Sequence, residues 1–471
     1  MPIPSLAGLK ASNERLNVVL IVLDTQRVKK MSCYGYDKPT SPNADKIARE
    51  GVLFENHFVP ACWTLPSHTS MFTGLYPFTH RADMEHAYLD DEYPTWAEVG
   101  HELGYLTAAF NPNKWIRAAQ ADRGFCLIDS CEKPKGGGRV TPFTAERFVQ
   151  WLEVYRGAPA PFFVFINFGD PHLSCHPSEP FLSQFLLKGV SVEEAMALDQ
   201  NPHLHPAGQA HWSERQWAIL ESLNDGCVAK ADHYVGAVYD ALKREGLLER
   251  TVLIVTSDHG DVYHEHPPQM AHVLNVYDTC IHTPLIVRAP GIFEGGKRCF
   301  FLVQAVDLLP TFFDVVGVAP HDSLKAIQGI SLLRALSGET REFIYAEDPF
   351  PWNELERYGS YPNANDMRRF YRFLRTIRDH NYKYIYSSRG EDELYFVRDD
   401  VDEQKNLIKE KPEIAREMMG KMEAWLWDKP LRRKPPALNT SPIKSVTPES
   451  LRRMEVWRGG VPAQLGARGK H

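Results

Sequence analysis

Three apolar runs that each lead into an acid constrain this chain more than any other feature. NVVLIVLD (17 to 24), PFFVFINFGDPH (161 to 172) and TVLIVTSDHGD (251 to 261) are continuous rather than alternating. A strand buried on both faces reads that way, and such strands belong to parallel sheets covered by helices. Each run delivers a carboxylate at its end, and two deliver a histidine. Ligands collect outside the carboxyl ends of strands in open α/β sheets, so the three runs predict one convergent polar site. The stretch before the last run, ADHYVGAVYDALKREGLLE, has helical spacing.

Later segments change character. FLRTIRDHNYKYIYSSR (373 to 389) alternates and ELYFVRDD (393 to 400) follows it, as in an antiparallel hairpin, while EIAREMMGKMEAWLW (413 to 427) has helical spacing. The chain's 471 residues exceed one ordinary core of roughly 100 to 200 residues. The expected organisation is a large α/β domain over 16–335, a C-terminal antiparallel sheet with a helix over 336–428, and a basic, proline-containing tail over 429–471. That tail holds ten Lys and Arg against Glu449 and Glu455, although the whole chain carries a net charge of −7. An acidic body argues against a nucleic-acid partner, and the tail is expected to lie on an acidic surface, with a homo-oligomer as one setting for it. No apolar run reaches the roughly 18 to 20 residues of a membrane span, so no membrane partner is expected. The first fifteen residues lack an apolar signal core, and the eight cysteines form no CxxC pair; both lead to the expectation of a cytoplasmic protein with free thiols.

Asp24, Asp258 and His259 stand at two strand ends and make a start for a divalent metal site. Residues 259 to 272 hold four of the nineteen histidines, at 259, 264, 266 and 272. CWTLPSHTSMFTGLYP (62 to 77) is polar and turn-like before a stretch, Ser70 to Leu75, that is expected to begin a helix after Pro66. A hydroxyl at a helix N-terminus beside a divalent cation becomes a competent nucleophile near neutral pH. Thr64 is the first choice, with Ser67, Thr69 and Ser70 as competitors.

The order of these motifs resembles the sulfatases and sulfatase-like hydrolases of the alkaline phosphatase superfamily. The landmarks are NVVLIVLDTQR with YGY (17 to 36), SPNADKIAREGVLFENHF (41 to 58), TLPSHTSMFTGLYP (64 to 77), GYLTAAF (104 to 110), DPH (170 to 172), TSDHGD (256 to 261), VYDTCIHTPLIVRAPG (276 to 291), QAVDLLPTFFDVVG (304 to 317) and ELYFVRDDVDEQKNLI (393 to 408). The resemblance implies an α/β fold with a large mixed β-sheet sandwiched by helices and a smaller C-terminal α+β subdomain. Relatives that mature a formylglycine need Cys or Ser, one residue, Pro, one residue, then Arg. Here the matching stretch is Thr64-Leu65-Pro66-Ser67-His68, and threonine cannot become formylglycine. One of the paired acids at the first strand end is replaced by Thr25. Lys114-Trp115-Ile116 matches a stretch whose histidine is lost.

What the resemblance then implies is the threonine-nucleophile branch. Asp24, Thr64, Asp258 and His259 would surround one divalent metal ion, Mn²⁺ or Zn²⁺ before Ca²⁺. Asp170, His172 and His272 would form a second metal or substrate site, with one ion or two left open. His172, His272 and Lys114 would stabilise the transferred group, and Lys114, His68 and Arg27 would bind substrate. Lys29, near Arg27, is a further cation for an anionic group. The expected activity is metal-dependent hydrolysis of a small anionic ester: a phosphodiester, phosphonate monoester or phosphomonoester, through a covalent phospho-Thr64. The alternatives are a sulfuric ester hydrolase and a phospho-head-group transferase.

Overall fold

The structure, a computed structural model, describes residues 15–428 apart from 85, 132–140, 320–325, 350–354, 356–358, 362, 363 and 366. The chain divides into two compact units, Met1–Lys429 and Pro430–His471; the second, and with it the basic tail, lies outside the described residues. An eight-stranded sheet is built from β1 (Asn17–Leu23), β2 (Val52–Phe58), β3 (Leu106–Phe110), β4 (Leu127–Asp129), β5 (Phe162–Phe168), β6 (Thr251–Ser257), β7 (Leu285–Arg288) and β8 (Lys297–Gln304). Its order is β4-β3-β5-β1-β6-β7-β2-β8, and only β7 runs antiparallel to its neighbours. This is the mixed sheet that the resemblance implied.

All three apolar runs lie side by side, because β1 pairs in parallel with β5 on one edge and β6 on the other. Their ends are level: Leu23 is in register with both Phe168 and Ser257. Each run is apolar throughout because both faces are covered. Val18, Leu20 and Val22 pack with Phe54, Trp96, Phe163 and Phe165 on one side, while Val19, Ile21 and Leu23 pack with Phe148, Trp151, Val235 and Leu253 on the other. Burying one such side chain contributes about 1.5–3 kcal/mol, so a polar substitution inside β1 is costly on either face. The second layer includes the helix Glu214–Arg244, which takes in the expected helical stretch from Ala231 as far as Arg244, ends before Gly246, and starts with a capping box between Ser213 and Gln216.

A second sheet of β9 (Ile344–Asp348), β10 (Leu374–Arg378), β11 (Lys383–Ser387) and β12 (Glu393–Tyr395) is antiparallel, in the order β12-β11-β10-β9. The segment 373–389, expected to pair as one unit with 393–400, is itself a hairpin of β10 and β11, with Leu374 opposite Ser387, and β12 from the second segment then pairs with β11. The helix Pro412–Asp428 covers it through Ala415, Met418 and Met422, against Ile377, Tyr384 and Leu394. All eight cysteines are free thiols. Among the described residues, no helix is long and apolar enough to cross a membrane.

Candidate functional site

Level strand ends put Asp24 and Asp258 next to each other. The turn after β1 is stapled to β6 by Ser257, whose hydroxyl donates to the Leu23 carbonyl at 2.6 Å and accepts the Gln26 amide at 2.9 Å. Thr25 adopts a left-handed backbone, φ +64°, that turns its amide onto Asp258 Oδ1 at 3.2 Å. Such strain in a non-glycine residue persists only where surrounding bonds over-determine it. Gly260 has no room for a side chain: a Cβ there would stand 2.1 Å from the Thr279 carbonyl oxygen.

The helix expected after Pro66 starts earlier, at Thr64, and runs to Thr73. Pro66 falls in the first turn, where its missing N–H costs no helical bond. The difference places Thr64 itself at the positive end of the helix. Ser67 anchors that end by donating to the Asp258 carbonyl. Thr64 Oγ1 then lies 3.3 Å from His259 Nε2. His259 Nδ1 faces the Gly260 carbonyl at 3.0 Å, and a carbonyl only accepts, so Nδ1 carries the proton and Nε2 carries the lone pair. That lone pair also lies 3.4 Å from Asp258 Oδ2 and 3.9 Å from Asp24 Oδ1.

Asp24, Asp258 and His259 offer ligand atoms all within 4.8 Å of one another, and all three residues are buried. Asp258 Oδ2 is buried and accepts no hydrogen bond. Burial, and then the neighbouring Asp24, push the Asp258 carboxyl well above its usual range, and burial pushes His259 well below its own. Two adjacent buried carboxylates and a deprotonated imidazole nitrogen lack a positive charge between them, and a divalent cation supplies one. The residues present therefore fit a metal ion.

The other expected residues are placed as follows. His272 and His172 are brought to the cluster, with ring centres 4.3 Å from His259 to His272 and 5.4 Å from His272 to His172. Asp170 is not the acid beside them; it forms a buried ion pair with Lys230 of the helix Glu214–Arg244, at 3.0 Å. The acid on His272 is Asp261, which accepts from Nδ1 at 2.8 Å, and His259, Asp261 and His272 make a second group of neighbouring ligand atoms. Burial pushes Asp261 up to about 7 and His272 well below the usual imidazole range. With Nδ1 held by Asp261, neutral His272 offers a lone pair at Nε2. It accepts a cation or a proton, and donates to an anion only when protonated.

His68, expected to bind substrate, is fully buried under the first turn of its helix. Its Nδ1 donates to the Thr64 carbonyl at 2.9 Å, its ring packs on Phe165, and burial pushes its pKa down to about 4. Arg27 is also buried, bonded to Glu265, 3.5 Å from Glu221 and stacked over Tyr263, so its charge is spent within the fold. Lys29 pairs with Glu265 and with Asp402. Lys114 is half-buried at the start of the short helix Lys114–Ala118. Its neighbour Asn113, which the sequence reading passed over, donates to Asp24 Oδ2 at 3.0 Å. Asp261 was missed as well, although it closes the TSDHGD run.

The chain as a whole has counterparts among known proteins. The Sulfatase family profile matches residues 16–318, and the profile of the N-sulphoglucosamine sulphohydrolase C-terminal region matches residues 274–428. Over 464 residues the chain is 24% identical to arylsulfatase K of Xenopus laevis, covering 88% of this chain and 83% of that protein. It is 25% identical over 443 residues to the Delta 4,5-hexuronate-2-O-sulfatase of Bacteroides thetaiotaomicron, covering 86% and 87% respectively. The phosphonate monoester hydrolase of Agrobacterium radiobacter has a similar fold, with a TM-score of 0.68, 23% identity and coverage of 88% of this chain and 95% of that one. The first profile spans more than half of the sequence, and the chain belongs to the sulfatase family of ester hydrolases, within the alkaline phosphatase superfamily.

Proposed function

We propose that this chain is a metal-dependent hydrolase of a small anionic ester, with Thr64 as nucleophile. The observation that carries the reading is Thr64 Oγ1 at the N-terminus of a ten-residue helix, 3.3 Å from the bare Nε2 of His259 and beside two buried carboxylates. Asp24, Asp258 and His259 would hold the cation, which supplies Lewis acidity and charge stabilisation when bound. Mn²⁺, Zn²⁺ and Ca²⁺ are the ions to test against this mixed oxygen and nitrogen set.

The chain's own residues then do the following. Thr64 Oγ1 gives up its proton to solvent and attacks the central atom of the ester; the ester bond breaks and the leaving oxygen takes up a proton from solvent and departs as the alcohol. The positive end of the helix favours the anionic oxygen. Lys114 offers positive charge to the transferred group, and His172 lies beside it. In the second step water attacks, the Oγ1 bond breaks, and Thr64 is restored. His272, oriented by Asp261, accepts the proton of that water.

Sulfuric ester hydrolysis is the favoured form of this reading, because arylsulfatase K and the hexuronate sulfatase are sulfatases by name and match most of the chain. A sulfated sugar is the substrate class these relatives support. A phosphorus ester is the second reading, favoured by Thr64 itself: a phospho-threonine is opened by water with no need for a formylglycine hydrate. Paired aryl sulfate, phosphate, phosphodiester and phosphonate esters, assayed with each metal in turn, decide between them. Release of sulfate alone supports the first form and release from phosphorus esters alone the second. Transfer of the group to an added alcohol, with no free anion released, would contradict hydrolysis.

A further inference from the structure

The C-terminal sheet reaches into the site through one residue. The end of β9 runs beside the segment that leads to Thr64: Ala61 forms a parallel bridge with Glu347, and the Glu347 amide donates to the Pro60 carbonyl at 3.0 Å. The next residue, Asp348, is 1% exposed. Its Oδ2 accepts the Leu274 amide at 3.0 Å, two residues after His272. Ala271 and Leu274, on either side of His272, both have left-handed backbones, φ +69° and +75°. A non-glycine residue holds that conformation when other contacts fix it, and Asp348 supplies one directly to Leu274. Further along, Glu403 accepts the Asp278 amide at 2.6 Å and pairs with Lys383 of β11, so the same segment is gripped again.

We propose that Asp348 is a positioning residue: it ties the His272 turn to the end of β9, whose backbone bridge to Ala61 sets the segment leading to Thr64, and so fixes the spacing of the two turns. The proposal rests on the reading that Thr64 and His272 serve one ester-hydrolysing site. A displacement of about 1 Å between reacting groups costs up to a hundredfold in rate, which gives a single buried carboxylate leverage over a reaction it does not touch.

Asp348→Ala and the isosteric Asp348→Asn test this in the full chain, by ester hydrolysis and by NMR of the His272 imidazole in [¹⁵N]histidine-labelled protein. The expected result for Asp348→Ala is a roughly tenfold or greater fall in kcat with KM unchanged, and a shifted His272 signal. Asp348→Asn, which keeps one acceptor, should fall between it and wild type. A purely stabilising role would lower Tm and leave both kcat and the His272 signal in place, which would overturn the proposal. If Asp348→Ala does not fold, the His272 signal of Asp348→Asn decides: displaced supports the proposal, unmoved overturns it. If wild-type protein cleaves no ester, the functional reading fails, while the His272 signal still decides the positioning.

Discussion

Thr64 Oγ1 and His259 Nε2 stand 3.3 Å apart, although 195 positions separate them in sequence. The helix that begins at Thr64 and the turn that follows β6 meet there, and Ser67 bonded to the Asp258 carbonyl fixes the meeting point. A threonine at a helix start commonly caps its own helix; this one is directed at the acid–imidazole cluster.

Asn113 makes the proposed cation site depend on a residue outside its candidate ligands. Its amide donates to Asp24 Oδ2 at 3.0 Å and so fixes the carboxylate's orientation. Outer partners of metal ligands are worth roughly 10- to 100-fold in affinity. Asn113→Ala should weaken Mn²⁺ binding by that order in calorimetry, and Asp24→Asn by more. Equal affinity in Asn113→Ala would remove this role.

Asp261 and His272 carry a separate prediction. Asp261→Asn keeps size but turns an acceptor toward a donor, and the imidazole then loses its reason to hold the proton on Nδ1. Loss of a tautomer-setting carboxylate costs up to about 10⁴-fold in kcat in the best-known case of an Asp–His pair. A fall of about 10²-fold or more is expected, with little change in KM. Kinetics indistinguishable from wild type would show that His272 takes no proton in the reaction.

Asn113 and Asp261 also show where the sequence stops being legible. The strands and the candidate ligands Asp24, Asp258 and His259 are readable because continuous apolar runs mark buried parallel strands, and the acids follow at once. Asn113 and Asp261 are not, because each acts through one bond set by the local turn. Asp170 misleads for the opposite reason: it ends its run as the others do, but Lys230 from the middle of a long helix takes it. Arg27 is likewise claimed by Glu221 and Glu265, far along the chain. The early start of the helix at Thr64 is hidden by Pro66, which reads as a break and functions as a first-turn residue.

Gly260 should tolerate no replacement. A Cβ would meet the Thr279 carbonyl at 2.1 Å, and the turn that carries Asp258 and His259 would have to move. Gly260→Ala is expected to cost about 1–3 kcal/mol, read as a lower Tm, and to weaken cation binding at the same time. A variant with wild-type Tm and wild-type Mn²⁺ affinity would contradict the close approach.

Acid sensitivity follows from His57 and His80, both fully buried, with burial pushing each pKa from 6.5 down to about 3. Below about pH 6.5 the unfolded chain takes up a proton on each histidine while the folded chain does not. Their contribution is therefore complete above about 6.5 and is lost as pH falls toward about 3, at about 1.4 kcal/mol per histidine per pH unit. His57→Asn should make the fall of Tm between pH 6 and 4 shallower (about one proton fewer taken up on unfolding). An unchanged slope would show that His57 is charged in the folded protein.

The most direct test of the account is to quench the metal-loaded protein in acid during turnover of an aryl sulfate or aryl phosphate ester and map the peptide containing Thr64 by mass spectrometry. The account predicts one sulfuryl or phosphoryl group on Thr64 in wild-type protein, and neither adduct nor turnover in Thr64→Ala. Undiminished turnover by Thr64→Ala would contradict it.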